Sequence, residues 1–177
     1  MALSIYRTAS LSSSLWLGKS PVAKEIAKQA GAIMREYFFD KDQQIERKGD
    51  GSMVTIADKK INQLVIEELS KHFNDGVIGE EKSTAEYGGK RIWFCDPIDG
   101  TKAFVWGTPT AMFSLGLVID GIPTLGVAYD PFLNMLYEAV KGSGAYCNGK
   151  QLRVSNDDLV NGHVSVNSSV KKILEQQ

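Results

Sequence analysis

The sequence is poor in cysteine and histidine. Its 177 residues include 2 cysteines, Cys95 and Cys147, and 2 histidines, His72 and His163. Two cysteines cannot build the disulfide framework of a small secreted domain, and no CxxC or Cys-His pairing has the spacing of a zinc site. We therefore interpret both cysteines as small apolar residues in a reducing compartment, and both histidines as structural or surface residues.

An excess of one charge and a long apolar run are also absent. The 20 Lys and Arg residues balance 21 Asp and Glu, so the net charge is -1, and the basic residues are spread along the chain. This pattern does not indicate nucleic-acid binding. No apolar run approaches the roughly 20 residues that a membrane-spanning helix needs. We expect a cytoplasmic protein without nucleic-acid or membrane partners.

The N-terminus has a composition of its own. It is rich in serine, contains Arg7 and Lys19, and has no acidic residue before Glu25. An organellar transit peptide, a short leader and an ordinary extension all fit this composition. We treat residues 1–20 as a leader of undetermined role, followed by a metal-binding α/β domain over residues 21–160.

Two stretches carry apolar residues at helical spacing. The first begins with Ser20 as N-cap and Pro21 at the first helical position, and it extends to about Phe38. The second covers about Asp58 to Phe73. Apolar segments between and after them predict short strands over residues 54–56, 76–81 ("GVIGEE") and 91–96 ("RIWFCD").

From residue 110 onward the sequence predicts a meander of strands. Two apolar runs meet at Asp120-Gly121, a hairpin signal, and "NMLYEAV" and "KGSGAYCNGKQLRVS" supply further short strands. The order of elements predicts an α/β protein, a layered α+β sandwich in which helices pack on a largely antiparallel sheet. Residues 161–177 are typical of the first strand and helix of a second αβ unit that is truncated.

Three apolar segments end in carboxylates, at Asp58, Glu80-Glu81 and Asp96. Strand ends in α/β sheets face a shared crevice, so we expect these acids to meet if the strands are neighbours. Carboxylates that lie so near one another raise each other's pKa unless a cation lies between them. Oxygen ligands without His or Cys favour Mg²⁺ over zinc. The pattern therefore predicts a divalent-cation site.

The segment "DPIDGT" adds further ligands and an anion pocket. Its proline fixes the backbone, so the carbonyl of Ile98 can turn inward as a neutral oxygen ligand. Asp99 supplies a second carboxylate. Gly100 and Thr101 begin a turn or short helix whose N–H groups can meet a phosphate oxygen.

Each acidic motif taken alone has a simpler interpretation. The D-P-x-D-G segment is usually a turn, Glu80-Glu81 a solvated acidic pair, and Asp58 a helix N-cap. Their occurrence together, each after an apolar run, favours a shared site. Two other sites fail on spacing, because a haloacid-dehalogenase phosphatase needs D-x-D-x-T and an EF-hand needs acids at loop positions 1, 3, 5 and 12.

With these motifs the chain resembles the inositol monophosphatase family of Mg²⁺-dependent, lithium-sensitive phosphomonoesterases. The resemblance covers about residues 21–155 and is carried by "DGSMVTIAD", "GEE", "DPIDGT" and "GSGAYCNG". It implies two or three Mg²⁺ ions, for which Mn²⁺ or Ca²⁺ can substitute. It also implies a small phosphorylated metabolite as substrate and a homodimer as the assembly.

The resemblance also implies roles for single residues. Glu80, Asp96 and the Ile98 carbonyl would bind the first metal, and Asp96 would bridge to a second ion that Asp99 also holds. The reaction implied is direct in-line attack by metal-activated water, without a phosphoenzyme.

Two further roles concern the water and the phosphate. Asp58 and Thr101 would orient and help deprotonate the attacking water, with Glu80 nearby. The N–H groups of Gly100 and Thr101 would hold the phosphate.

One departure from the family pattern affects the expected activity. The family's second half carries a W-D-x-A-A-G type motif whose Asp completes the second metal site, and this sequence has no such motif. We therefore expect this chain alone to be a weak or inactive phosphatase. Two alternatives to a phosphatase function remain. One is a catalytically silent truncated form that still folds or dimerises, and the other is a module that binds Mg²⁺ or Ca²⁺ without catalysing a reaction.

The substrate is expected to be an inositol monophosphate. Lys102, directly after the "DGT" triplet, instead resembles the histidinol-phosphatase and bisphosphate-nucleotidase branches, where it could contact an extra anionic group. The plainer interpretation of Lys102 is an exposed helix residue.

Overall fold

The computed structural model describes residues 18–40, 42–49, 51–86, 88–156 and 161. The helices in these ranges are α1 (Ser20–Phe38), α2 (Ile56–His72) and α3 (Thr101–Val105). The strands are β1 (Glu46–Arg47), β2 (Met53–Val54), β3 (Gly76–Gly79), β4 (Arg91–Asp99), β5 (Met112–Ile119), β6 (Ile122–Asp130), β7 (Met135–Val140), β8 (Gly144–Cys147) and β9 (Lys150–Gln151).

Strands β3 to β9 form one 7-stranded sheet in sequence order, and β1 pairs with β2 in a separate two-stranded ribbon. Strands β3 and β4 are parallel, and the other neighbouring pairs are antiparallel. The predicted hairpin at Asp120-Gly121 connects β5 to β6, with φ angles of 48° and 77° at these residues. Left-handed conformation at both positions suits the twist of a two-residue hairpin turn. The prediction of a largely antiparallel sheet is confirmed.

Helices α1 and α2 cover one face of this sheet. Alternate side chains of the central strands point toward them and are fully buried, among them Trp93, Phe113 and Leu117. The residues between these, such as Ser114 and Gly116, point to the opposite face and are only half-buried. The layered α/β fold class is confirmed, and within the described residues the second face of the sheet is only half-buried.

Two predicted helix starts are wrong. The N-cap of α1 is Lys19, and Ser20 is the first helical residue. Ser20 does not cap the helix because its hydroxyl donates to Glu138 Oε2 on β7, at 2.7 Å. Helix α2 begins at Ile56, after Thr55 as N-cap, so the strand predicted over 54–56 ends at Val54.

Some predictions fall on residues that the structure does not describe. The strand and helix predicted within 161–177 lie outside the described residues, apart from Asn161. The leader predicted over 1–20 lies outside them as far as residue 17. The domain division at residue 160 therefore stays a prediction. None of the described helices is long and apolar enough to cross a bilayer.

Candidate functional site

The parallel pair β3 and β4 brings Glu80 beside Asp96. Gly79 at the end of β3 lies opposite Cys95, so the next residue of each chain segment lies at the same edge of the sheet. The backbone N–H of Glu80 donates to the carbonyl of Cys95 at 3.2 Å. Two acids that are distant in the sequence therefore meet, as the strand-end pattern predicts.

A bulge follows in β4. Asp96 is opposite Ser114, whereas Asp99 is opposite Met112, and the register shifts between them. A bulge bends a strand and redirects its side chains. The Ile98 side chain is buried here, and the Ile98 carbonyl accepts a hydrogen bond from Thr101 Oγ1 at 2.9 Å. A carbonyl has two lone pairs, so this contact leaves one acceptor position available.

Gly100 makes the turn from β4 into α3. Its φ is 91°, in the left-handed region that favours glycine, and it is the N-cap of the helix. Thr101 is the first helical residue, and Phe104, with 0% exposure, anchors α3 in the core. The turn therefore places Gly100 and Thr101 directly after the bulge that carries Asp99.

Asp58 reaches the site from a helix start, not from a strand end. The prediction that it follows a strand of the shared sheet is wrong, because β2 belongs to the separate ribbon. Asp58 is the third residue of α2 in a capping box with Thr55. Its Oδ2 accepts from the backbone N and the Oγ1 of Thr55, at 2.8 and 2.6 Å. The capping box thus fixes one oxygen of a side chain that is 1% exposed.

The other oxygen of Asp58 and one oxygen of Asp96 have no such partner. Oδ1 of each is buried without a hydrogen bond among the described residues. Buried polar atoms are rarely left unpaired, because removing them from water without a partner costs free energy. These two oxygens are therefore free acceptors at the place where the acids converge.

Neighbouring charges act on both side chains. Burial, and then Glu80, Asp99 and Asp58, raise the pKa of Asp96 to about 7. Burial also raises the pKa of Asp58 to about 6, with Glu81 and Glu80 adding to the effect. Hydrogen bonds from Thr55 oppose that rise. The five carboxyl groups therefore form one electrostatically coupled cluster.

The raised pKa values predict an unusual pH dependence of stability. Asp58 and Asp96 titrate at about 6 and about 7 in the folded chain, against about 4 when unfolded. Their contribution to stability is therefore present below about pH 4 and is lost as pH rises through 6 and 7. For the metal-free protein, the melting temperature should fall between pH 5 and pH 8. For Asp58 alone the loss is on the order of 3 kcal/mol.

Differential scanning fluorimetry in EDTA, repeated with saturating Mg²⁺, measures this dependence. Asp75 and Glu138 are already ionised in this range, because contacts with Lys19 and with Ser20 and Lys24, respectively, outweigh burial and hold their pKa values low. Mg²⁺ should remove most of the decrease. A melting temperature that is flat or rising from pH 5 to 8 in EDTA would contradict the assignment.

Among the residues that the structure describes, no three His, Cys, Asp or Glu side chains are arranged so that they could hold a metal ion together. Glu80 and Glu81 are instead bonded to a lysine that the sequence did not single out. Lys48 Nζ lies 2.9 Å from Glu80 Oε1 and 2.7 Å from Glu81 Oε1. In the sequence, Lys48 is distinguished by its position beside a glycine-rich turn. Such positions are too common in proteins to indicate a functional site.

Asn62 is a second residue that sequence reasoning missed. It is 2% exposed on α2, where its Nδ2 donates to the carbonyl of Lys82 at 3.0 Å. Its Oδ1 accepts from the backbone N of Glu81 at 3.4 Å. A Cβ on Gly79 would overlap Asn62 Oδ1 and lie 2.6 Å from the carbonyl of Lys82. Asn62 and Gly79 together hold the turn that presents Glu80.

Gly79→Ala should therefore disturb the site as well as the fold. Overpacking of this kind typically costs about 1 to 3 kcal/mol. We expect a loss of that size in urea denaturation, together with weaker Mg²⁺ binding by calorimetry. Gly126→Ala is the matched control, because a Cβ there meets no atom within 4 Å. Equal effects of the two variants would show that Gly79 has no special role.

A cleft of about 500 Å³ in the described structure lies against the half-buried face of the sheet, and Glu80 and Asp96 are at its end. Glu80 and Asp96 line it, together with Phe94, Ser114 and Gly116. Small side chains on β5 leave this space free, because neither serine nor glycine projects far from the strand. The cleft gives a ligand of modest size access to the carboxylate cluster.

Comparisons with known proteins agree with this geometry. The model of the inositol monophosphatase family matches residues 20–176. Inositol monophosphatase 1 of Solanum lycopersicum is 41% identical over 140 residues, which are 76% of this chain and 51% of that protein. Histidinol-phosphatase of Chlorobaculum parvum is 38% identical over 135 residues, 76% of this chain and 52% of that protein.

Solved structures give the same result. An IMPase of Thermotoga maritima superimposes with a TM-score of 0.74 at 32% identity, covering 79% of this chain and 55% of that chain. This chain thus spans about half the length of the relatives that it matches. On the family match over residues 20–176 and the shared fold, the chain belongs to the inositol monophosphatase family.

Proposed function

We propose that this chain carries the metal- and phosphate-binding part of a metal-dependent phosphomonoesterase that hydrolyses a small phosphorylated metabolite. One observation supports this most directly. Asp58 and Asp96 each keep a buried carboxylate oxygen without a hydrogen bond, and the two side chains interact electrostatically with each other and with Glu80. Such an arrangement is costly without a cation and suits one well.

The donor set fits Mg²⁺. Carboxylates of Glu80, Asp96 and Asp99 with the Ile98 carbonyl give oxygen ligands alone, which hard divalent cations prefer. We assign these four residues as ligands of two or three Mg²⁺ ions, with Mn²⁺ or Ca²⁺ as substitutes. When bound, Mg²⁺ would lower the pKa of a water molecule and neutralise charge on the phosphate oxygens.

The protein groups next to the ligands are suited to handling water and phosphate. Oδ1 of Asp58 is free to accept a proton or hydrogen bond from a water, because Thr55 occupies only Oδ2. The Thr101 hydroxyl donates to the Ile98 carbonyl, so its oxygen can still accept from the same water. N–H groups of Gly100 and Thr101, at the start of α3, would bind a phosphate oxygen.

Inositol monophosphate is the substrate that we favour. Relatives named as inositol monophosphatases and as a histidinol-phosphatase are similarly close to this chain. If histidinol phosphate were the substrate, Lys102 would have to reach it. The Lys102 Nζ instead lies 4.7 Å from the Trp106 ring centroid in a cation–π contact. This position favours a surface role for Lys102 and leaves histidinol phosphate and bisphosphate nucleotides as alternatives.

A phosphate-release assay tests the proposal. The panel contains inositol monophosphate, histidinol phosphate, adenosine bisphosphate and fructose bisphosphate, each with Mg²⁺, with EDTA and with Li⁺. We expect weak or no turnover by this chain, since it covers about half of its relatives' length. Mg²⁺ binding without turnover would favour the catalytically silent form, and turnover at the rate of a full-length relative would contradict the expectation.

A homodimer in the cytoplasm is also part of the proposal. Large apolar side chains are strongly exposed on the described surface, including Phe39 at 87%, Leu133 at 68% and Trp106 at 65%. Exposed apolar side chains of this size are typical of protein contacts when they cluster. Sedimentation velocity should give the mass of two chains, and a single chain at micromolar concentration would refute the dimer.

A further inference from the structure

Lys48 belongs to a different sheet from the acids that it contacts. It follows β1 in the two-stranded ribbon, which is separate from the main sheet. Its N–H donates to the carbonyl of Ser52, and its own carbonyl accepts from Gly51, both at 2.9 Å. Glu80, in contrast, follows a strand of the 7-stranded sheet, and the backbone N–H of Glu81 is bonded to Asn62.

The Lys48 ammonium occupies the position of a counter-ion. It contacts one carboxylate oxygen of Glu80 and one of Glu81, at 2.9 and 2.7 Å. Both acids are electrostatically coupled to the buried carboxyl of Asp58, and Glu80 also to Asp96. A positive charge here relieves the repulsion among these acids, as a divalent ion would.

An ammonium and a metal ion compete for the same oxygen. Both cations approach a carboxylate oxygen closely, and both interact with its lone pairs. Glu80 Oε1 therefore cannot bind the ammonium and a metal ion strongly at the same time. Side-chain exposure is 27% for Lys48 and 39% for Glu80, so water can take the place of the ion pair when it opens. Exposed pairs of this kind are weak, and the exchange is therefore reversible.

We propose that Lys48 is the resident cation of the metal-free site, and that it must leave Glu80 before a divalent ion binds there. This inference rests on the proposed function, because it takes Glu80 as a metal ligand. Lys48 thereby sets the affinity of the site for metal, and it keeps the acids together while the metal is absent.

The test is a Mn²⁺ titration of the metal-free full chain, with free Mn²⁺ read by electron paramagnetic resonance. Lys48→Gln should bind Mn²⁺ about fivefold to tenfold more tightly than the unmodified chain, because the competitor is gone. The metal-free variant should also melt at a lower temperature, and Mn²⁺ should raise that temperature by more. Lys48→Arg retains the charge and should stay close to the original affinity.

Lys59→Gln is the matched control. Lys59, on α2, pairs with the exposed Glu46 of the ribbon at 2.7 Å, so its replacement also removes one lysine charge but does not touch Glu80. Unchanged or weaker Mn²⁺ binding in Lys48→Gln would overturn the role of Lys48 alone. Absence of Mn²⁺ binding in every variant, with unchanged melting temperatures, would overturn the proposed metal site and this inference with it.

Discussion

Asp96→Asn is expected to weaken Mg²⁺ binding by 100-fold or more and to abolish any phosphatase activity. Asparagine keeps the size of the side chain but removes the negative charge and one strong metal-binding oxygen. Asp96 carries one of the two buried unpaired oxygens of the cluster, and burial and neighbouring acids raise its pKa to about 7. Asp96 interacts electrostatically with Glu80, Asp99 and Asp58.

The same variant should leave the fold intact and even stabilise it without metal. At neutral pH the Asp96 carboxylate is disfavoured by burial and by three neighbouring acids, and the neutral amide relieves this repulsion. We therefore expect a higher melting temperature than that of the original chain in EDTA at pH 8. In saturating Mg²⁺ the order should be reversed, because only the original chain gains binding energy.

Isothermal titration calorimetry with Mg²⁺ and thermal melts with and without EDTA provide both measurements. Asp120→Asn is the control, since Asp120 is an exposed residue of the β5–β6 hairpin turn, where asparagine is readily accommodated. Retained Mg²⁺ affinity in Asp96→Asn would end the assignment of this residue as a ligand. A large loss of stability in EDTA would show that the carboxylate has a structural role instead.

The second large effect concerns stability, and it lies away from the candidate site. Asp75, in the connection from α2 to β3, has a side chain only 1% exposed and is contacted by three donors. Lys19 Nζ lies 2.7 Å from it, Arg91 Nε 2.7 Å and Trp93 Nε1 3.1 Å. These contacts join the start of α1 to the start of β4, and Lys19 also lies 3.6 Å from the Phe73 ring centroid.

Asp75→Asn should destabilise the protein by roughly 3 kcal/mol, because it leaves the nearly buried Lys19 without its counter-charge. Burial alone would raise the pKa of Asp75, but Lys19, Trp93 and Arg91 hold it below its usual value. That stability is present above about pH 4 and is lost as pH falls through the folded pKa. The variant should therefore also show a weaker acid dependence of unfolding.

Urea denaturation at pH 7 and at about pH 2 measures this effect. Glu68→Gln is the control, since Glu68 pairs with Lys71 at 2.6 Å across an exposed turn of α2, and its loss should cost less than about 0.5 kcal/mol. Adding Lys19→Met to Asp75→Asn should recover part of the loss, because it removes the stranded charge. Equal losses in the Asp75 and Glu68 variants would contradict the importance of this network.

Local patterns in the sequence were enough to predict most of the elements and the meeting of Glu80 with Asp96. The helical spacing up to Phe38, the Asp120-Gly121 turn and the meander after residue 110 each follow from the residues themselves. The acids that follow β3 and β4 were predicted to meet, and they do. Side-chain periodicity and turn chemistry act over a few residues, so they can be read from sequence alone.

Contacts between segments that are distant in the sequence decided which side chains pair with one another. The hydroxyl of Ser20 bonds Glu138 instead of capping α1, and Asp58 enters the cluster through a capping box instead of a strand. Asn62 and Lys48 reach the Glu80 turn from a helix and from the separate ribbon. A hydrogen bond or ion pair depends on which groups meet in space, so only the tertiary structure could assign these partners.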